Sequence, residues 1–461
     1  MLCVDVGSTF TKGALVDVAS GNLLATASHR TTLPAPLPGG EPGGDVLQGL
    51  DAVRAATEER ADVRAGAVLA CSSAGGGLRI AVVGYERLVT AEAGRRVALS
   101  AGGRVVHVTA GPLTAADVDQ LRAARPDLVL LAGGTDGGDS EVLLHNASRL
   151  GVARLRAPVV VAGNTEAAPA ARAELERRGR KVVVAPNVLP RIGTLEPLGA
   201  RAAIREQFLR HVIGGKGLSR GTRFARLVRA PTPDAVLAGV EVLADALGVD
   251  GAGGDVLVVD VGGATTDVYS VVTPQGEDGA AAAGDVRSRD VVAPLWRART
   301  VEGDLGMRSS APGVVAAATA EGLLAHGEEE ALGAYAREVA ADPGVVPPDQ
   351  GPDTRLAELA VTMALRRHGR PGSTASAPRP LADVRVVVGS GGVLRHGDAE
   401  RRRQVLDPAV ADHGGGWRVP AAATVVVDDR YLLFAAGLLA AEHPDAAAAL
   451  ARRVLIAEVS G

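Results

Sequence analysis

Two stretches of this chain share one design, and any fold it adopts must accommodate both. LCVDVGSTFTKGALVDV opens at Leu2 and LVVDVGGATTDVYSVV at Leu257. Each has a short valine-rich run reaching an acid, Asp5 or Asp260, then a glycine two residues on, Gly7 or Gly262. Threonines follow, with Thr11 matching Thr266, and then a second β-branched run. The pattern predicts strand, tight turn, strand. Glycines let backbone N–H groups approach a ligand closely. Threonine hydroxyls add donors, and carboxylates can hold a cation directly or through water. The decisive difference is that Lys12 in the first stands where Asp267 stands in the second. Two hairpins in register predict a duplicated fold with a ligand, of the metal-bound phosphate kind, between its halves.

A third element is VRVVVGSGGVLRH, from Val384 to His396. Here an apolar strand runs into Gly389, Ser390, Gly391 and Gly392, and a backbone without side chains can lie flat against adenine or ribose. In this order the three elements resemble the nucleotide motifs of the actin, sugar kinase and Hsp70 superfamily, from Leu2 to about Ala441. The resemblance implies an α/β fold of duplicated actin-like ATPase (ribonuclease H-like) halves. The expected organisation is residues 1–125 as the first half, 126–248 as a parallel βαβ segment with a helical connection, and 249–461 as the second half.

Composition removes several alternatives. A chain of 461 residues exceeds one ordinary core. With 49 basic against 53 acidic residues and 2% aromatics, it has neither the charge nor the stacking surface for nucleic acid. No apolar run is long enough to span a bilayer, so no membrane partner is expected. Cys3 and Cys71, in apolar runs, fit buried free thiols of a reducing, cytoplasmic compartment. No signal-peptide pattern precedes the first strand.

Between the hairpins, Asp45 caps a helix through about Arg60, and AVLACSSAGG is a buried strand ending at Ser72 and Ser73. From Ala115 short apolar strands alternate with helices, which implies parallel βαβ units. Their turns make Asp136, Asn164, Thr165 and Glu166 candidate cleft residues, or simply helix N-caps. Residues from about 200 to 247 read as helical, with a basic patch at Lys216, Arg220, Arg223 and Arg226. After the second hairpin, TPQGEDGAAAAGDVRSRD is low in complexity. Arg299, Glu302, Asp304 and Arg308 then crowd a glycine-containing stretch, read either as functional or as a salt-bridged surface turn.

The wording of DVGSTFTKGAL, ACSSAGGGLRIAVVGYE, LLAGGTDGGDSE, VVVAGNTEAA, DVGGATTDVYSV, RTVEGDLGMR and VVGSGGVLR narrows the resemblance. It is similar to the glutamate mutase accessory protein family, the MutL family of methylaspartate mutase operons, unrelated to mismatch repair. That resemblance implies an ATPase-like protein working beside the subunits of an adenosylcobalamin-dependent mutase, as a reactivating chaperone. ATP and Mg²⁺ are the expected ligands. Asp5, Asp260 and Asp267 are the candidate metal shell, with Asp5 or Asp260 alternatively orienting the attacking water. Lys12 would neutralise phosphate charge, so Asp5, Lys12 and Asp260 form the candidate catalytic set. Gly7, Ser8, Thr9, Thr11, Gly262, Gly263, Thr265 and Thr266 would hold phosphate, and the Gly389–Gly392 run adenosine. No bound cobalamin is expected. Two other classes remain open: a small-molecule kinase or hydantoinase/oxoprolinase-like amidohydrolase, and a non-hydrolysing nucleotide scaffold.

Overall fold

The computed structural model describes residues 1–34, 44–248, 254–273, 296–343, 350–370, 379, 381–415 and 419–455. The low-complexity stretch after the second hairpin lies outside these residues, except Thr273, as does most of the proline- and glycine-rich loop that follows the third strand. In chain order the strands are β1 (Leu2–Val6), β2 (Phe10–Asp17), β3 (Asn22–Arg30), β4 (Val68–Ser72), β5 (Leu78–Gly84), β6 (Gly103–Ala110), β7 (Leu128–Leu131), β8 (Val159–Val161), β9 (Val182–Val184), β10 (Val228–Pro231), β11 (Val256–Val261), β12 (Thr266–Val271), β13 (Arg297–Glu302), β14 (Val386–Gly391) and β15 (Thr424–Val427).

They form three five-stranded sheets, and two of these are copies of one plan. One has the order β10-β4-β1-β2-β3, the other β15-β14-β11-β12-β13. In both, the hairpin strands and the third strand are antiparallel, while the fourth and fifth join in parallel on the other side. This is the ribonuclease H-like arrangement, present twice, as in actin-like ATPases. The hairpin registers agree residue for residue: Asp5 faces Lys12 and Val6 faces Thr11, as Asp260 faces Asp267 and Val261 faces Thr266.

The fifth strand of each sheet leads into a helix, Thr232–Gly248 after β10 and Leu433–Leu439 after β15. These two helices cross at two glycines. A Cβ on Gly239 would stand 1.9 Å from Leu433 O, and one on Gly437 would stand 1.8 Å from Ala235 O. Around the crossing lies a core shared by both halves, with Cys3, Ala14, Val16, Leu69 and Cys71 from one sheet and Val256, Val258, Tyr269, Val271, Val388 and Val426 from the other. Leu2, Val4 and Val6 face a different core, and so do Leu257, Val259 and Val261. Strand side chains alternate, so Asp5 and Asp260 belong to the faces that look toward the crossing.

The third sheet, β6-β5-β7-β8-β9, is wholly parallel, as the βαβ grammar implies. Its strands begin before residue 125: β5 pairs with β6 on one side and β7 on the other rather than with the first hairpin's sheet. Conversely β10, within the stretch read as helical, returns to pair with β4. Helix Thr90–Ser100 carries the chain from β5 to β6 and is buried over most of its length. Asp45 forms a capping box with Gln48 at the start of helix Val46–Ala61.

Candidate functional site

Both hairpin turns close through the same bond: Gly7 N donates to Phe10 O at 3.1 Å, and Gly262 N to Thr265 O at 2.9 Å. The first turn is strapped by β4, since Ser73 N and Ser72 Oγ both donate to Val6 O and Ser8 Oγ donates to Ser73 O. The second is strapped by the segment after β13, where Met307 N and Arg308 N donate to Gly262 O and Gly263 O at 3.0 and 2.7 Å. Ser8 and Thr9 are exposed on the first turn, as are Gly263 and Ala264 on the second.

Asp5 is 2% exposed and enclosed. It accepts from Thr232 Oγ1 at 2.5 Å, Tyr431 OH at 3.2 Å and Cys71 Sγ at 3.6 Å. Burial pushes its carboxyl above the usual range, against the Lys12 ammonium and these donors, which pull it down. Asp260 is pushed up to about 6, first by burial and then by the Asp267 and Asp5 charges, while Lys12 and Arg395 oppose the rise. Lys12 therefore acts on the acid of its own hairpin and on that of the other. Its Nζ lies 3.8 Å from the ring centroid of Tyr431, and the Arg395 guanidinium lies 5.2 Å from the same ring. The structure thus brings Asp5, Lys12 and Asp260 into one charge cluster, together with Tyr431, Thr232 and Arg395, which the sequence reading missed.

β14 lies beside Asp260. Its parallel register sets Ser390 against Asp260 and Gly391 against Val261. Ser390 Oγ is buried and has no hydrogen-bond partner among the described residues, the one orphaned hydroxyl there. Gly391 has φ +102, and a Cβ on it would meet Val261 O at 2.1 Å. Only glycine fits that close approach. Gly389 points to the other face, where Leu406 and Leu394 occupy the space of a Cβ, while around Gly392 that space is open.

Three expected assignments change. Thr11 and Thr266 are fully buried and face away from the cluster. Thr11 Oγ1 shares a 3.1 Å hydrogen bond with Thr31 Oγ1, and Thr266 Oγ1 donates to Leu305 O at 2.5 Å. The cause is strand parity, because each is one residue away from the inward position held by Lys12 or Asp267. Both buttress the turns; Thr9 and Thr265 stay near the turn surface, Thr265 Oγ1 donating to Asp267 Oδ2 at 3.4 Å. Asp267 itself is committed. Its Oδ1 accepts from Arg299 Nε at 3.0 Å and Nη2 at 2.6 Å. No group of three or more His, Cys, Asp or Glu side chains among the described residues is placed to hold a metal, so the three-acid shell is not preformed.

The charged stretch resolves into strand β13 and ion pairs. Arg299 also donates from Nη1 to Gly103 O at 3.1 Å and Leu99 O at 3.4 Å. Glu302 and Asp304 hold Arg367, and Arg308 grips Asp353 with two 2.8 Å bonds. In the basic patch, Lys216 pairs with Asp127 and Arg223 with Asp51. Asp136, Asn164, Thr165 and Glu166 sit together at the carboxyl edge of the third sheet, where Asp136 accepts from Thr165 N and Asn187 Nδ2 at 3.0 and 2.9 Å. Arg299 reaches the opposite, amino edge, so these four do not join the hairpins.

A profile of the MutL protein family matches residues 1–455. The chain belongs to the MutL family. It is 34% identical over 476 residues to Protein MutL of Clostridium tetanomorphum, covering 99% of each chain. Among solved structures it is similar to acetone carboxylase in a nucleotide-free form, at 15% identity and TM-score 0.39, over 95% of this chain and 70% of that one. It is also similar to an ATP-dependent caprolactamase from Pseudomonas jessenii, at 15% identity and TM-score 0.37 with the same coverage. Among the described residues, no helix of this MutL-family chain is long and apolar enough to cross a membrane.

Proposed function

We propose that this chain binds Mg-ATP between its two hairpins, hydrolyses it, and uses the cycle to reactivate an adenosylcobalamin-dependent mutase of the glutamate mutase type. The observation that carries the nucleotide reading is the matched register of the two hairpins, which sets Asp5 opposite Lys12 in one and Asp260 opposite Asp267 in the other, on the faces that look toward the crossing. A lysine and an acid contributed by opposite halves suit a charged ligand held by both.

The residues fit a magnesium–phosphate ligand. Mg²⁺ keeps several waters and needs only one or two carboxylates plus phosphate oxygens. Asp260 is partly exposed and has the orphaned Ser390 hydroxyl opposite it. Asp5, enclosed by its three donors, serves through water or by holding Lys12. When bound, Mg²⁺ would neutralise charge on the phosphates. The exposed turn of Ser8 and Thr9 and the partly exposed Gly7 and Gly262 would present N–H and hydroxyl groups to phosphate oxygens. Gly391 and Gly392 would leave room for the nucleoside, and Lys12 would stabilise charge growing on the transferred group. Loss of these contacts after hydrolysis would let the halves rotate about the glycine crossing.

The mutase as partner rests on membership of the MutL family and on the relative's name. A cytoplasmic setting is supported by the two buried free thiols. The test is phosphate release from Mg-ATP by the purified chain, alone, with candidate small-molecule acceptors, and with mutase subunits carrying damaged cobalamin. The proposal expects hydrolysis without an acceptor, raised by the mutase. Strict dependence on a small molecule would instead make the chain a kinase or amidohydrolase.

A further inference from the structure

Tyr431 stands out by its backbone. Its φ is +56, a left-handed conformation that a bulky side chain holds only when its surroundings impose it. The imposing contacts are these. Tyr431 N donates to Asp428 O at 3.1 Å. The buried Asp428 carboxylate accepts from Leu432 N at 2.7 Å and from Leu433 N at 3.1 Å, fixing the start of helix Leu433–Leu439. The ring stacks on Phe434 with centroids 5.1 Å apart. Arg395 Nε donates to Asp429 O at 3.1 Å in the same turn.

This turn belongs to the second half, yet it delivers the tyrosine to the first. The hydroxyl donates to Asp5 Oδ2 at 3.2 Å, and the ring face receives Lys12 Nζ at 3.8 Å. A lysine so close to an aromatic face is held by the ring quadrupole. A space-filling tyrosine would need neither contact.

We infer that Tyr431 is a positioning residue that seats the Lys12 ammonium with its ring and fixes the Asp5 carboxylate with its hydroxyl, making the first hairpin's alignment conditional on how the two halves stand. The inference rests on the nucleotide reading above. The condition follows from location, because Tyr431 leads into the helix that crosses Thr232–Gly248 at Gly239 and Gly437. Rotation of the halves about that crossing moves the ring relative to Lys12. A triphosphate competes with the ring for the ammonium, so hydrolysis and half-to-half geometry become linked through one side chain.

The test uses the full chain and two substitutions that separate ring from hydroxyl. Tyr431→Met removes both. It should lower kcat about tenfold or more while KM for ATP stays within about threefold, since placement rather than ground-state binding is lost. Combined with Lys12→Ala it should add only the few-fold loss of the hydroxyl, because the ring then has no ammonium to seat. Tyr431→Phe keeps the ring. It should cost only a few-fold in kcat, and that loss should multiply with the Lys12→Ala loss. Independent losses for Tyr431→Met and Lys12→Ala, or wild-type kcat in Tyr431→Met, would overturn the inference. If the Met variant does not fold, the Phe variant decides: unchanged kcat, or a loss that vanishes in the Lys12→Ala background, would overturn it. A wild-type chain that neither binds nor hydrolyses ATP would overturn the functional reading, and this inference with it. Normal wild-type hydrolysis with the wrong cycle would overturn the inference alone.

Discussion

Asp260 sets the acid limit of the proposed chemistry. Held at about 6 by burial, against the pull of Lys12, it must lose its proton before it can attract a cation or orient water. The kcat/KM for ATP should therefore fall about tenfold per pH unit below pH 6, the limb that reports the free protein. The stability term has the opposite slope. Between the ordinary carboxyl value of 3.8 and about 6 the native state keeps a proton that the unfolded chain has released, so the contribution of Asp260 to stability falls as pH rises through that window. Asp260→Asn should remove this penalty and raise the urea midpoint more at pH 7 than at pH 4. An equal change at both values would place the charge elsewhere. Residue identity made Asp5, Lys12 and Asp260 legible, because acid, glycine and lysine recur at fixed spacing. Parity was equally available, since Lys12, Ala14 and Val16 share a face. Applied to Thr11 and Thr266, it would have removed both from the phosphate set. Tyr431 had no such signal: it meets Asp5 across 426 positions of chain, and nothing local marks it.

Among the elements, β13 ties the second hairpin to the third sheet. Arg299, 5% exposed, spends three nitrogens on Asp267 and on two carbonyls at the end of helix Thr90–Ser100 and the start of β6. Leu99 O thereby meets a cation at the helix C-terminus, a favourable pairing. Arg299→Met would leave Asp267 partly buried and unpaired, at a cost of about 3 kcal/mol. Amide exchange should show the loss: protection should fall in Leu99–Gly103 and in β12 together. Protection lost in β12 alone would mean that Arg299 does not couple the two elements. The strand itself was obscured in the sequence by the charges of Arg299, Glu302, Asp304 and Arg308, which read as a functional stretch or a surface turn because partners such as Arg367 and Asp353 lie far along the chain.

At the scale of the molecule, two copied sheets meet at one helix crossing, and the third sheet packs on the first through Val6, Ile80, Val82, Leu128 and neighbouring residues. Hairpin repetition made the duplication readable. The limits of the third sheet were not, because β5 and β6 are apolar strands that could join either neighbour, and only pairing decides. The crossing tolerates no side chain. Gly239→Ala would drive a Cβ into Leu433 O, and overpacking against backbone typically costs 1–3 kcal/mol, here about 3. The variant should lose both thermal stability and hydrolysis, although Gly239 lies outside the charge cluster. Full hydrolysis in a destabilised variant would show that the crossing is structural only.

If the two hairpins build one nucleotide site, steady-state phosphate release paired with calorimetry of ATP binding will register the loss of either half. With Mg²⁺ present, Asp260→Ala should abolish turnover while the fold persists. Lys12→Ala should lower turnover about a hundredfold while weakening ATP binding far less. Wild-type turnover in Asp260→Ala, or no change in rate or affinity in Lys12→Ala, would mean that the hairpins do not form a shared nucleotide site.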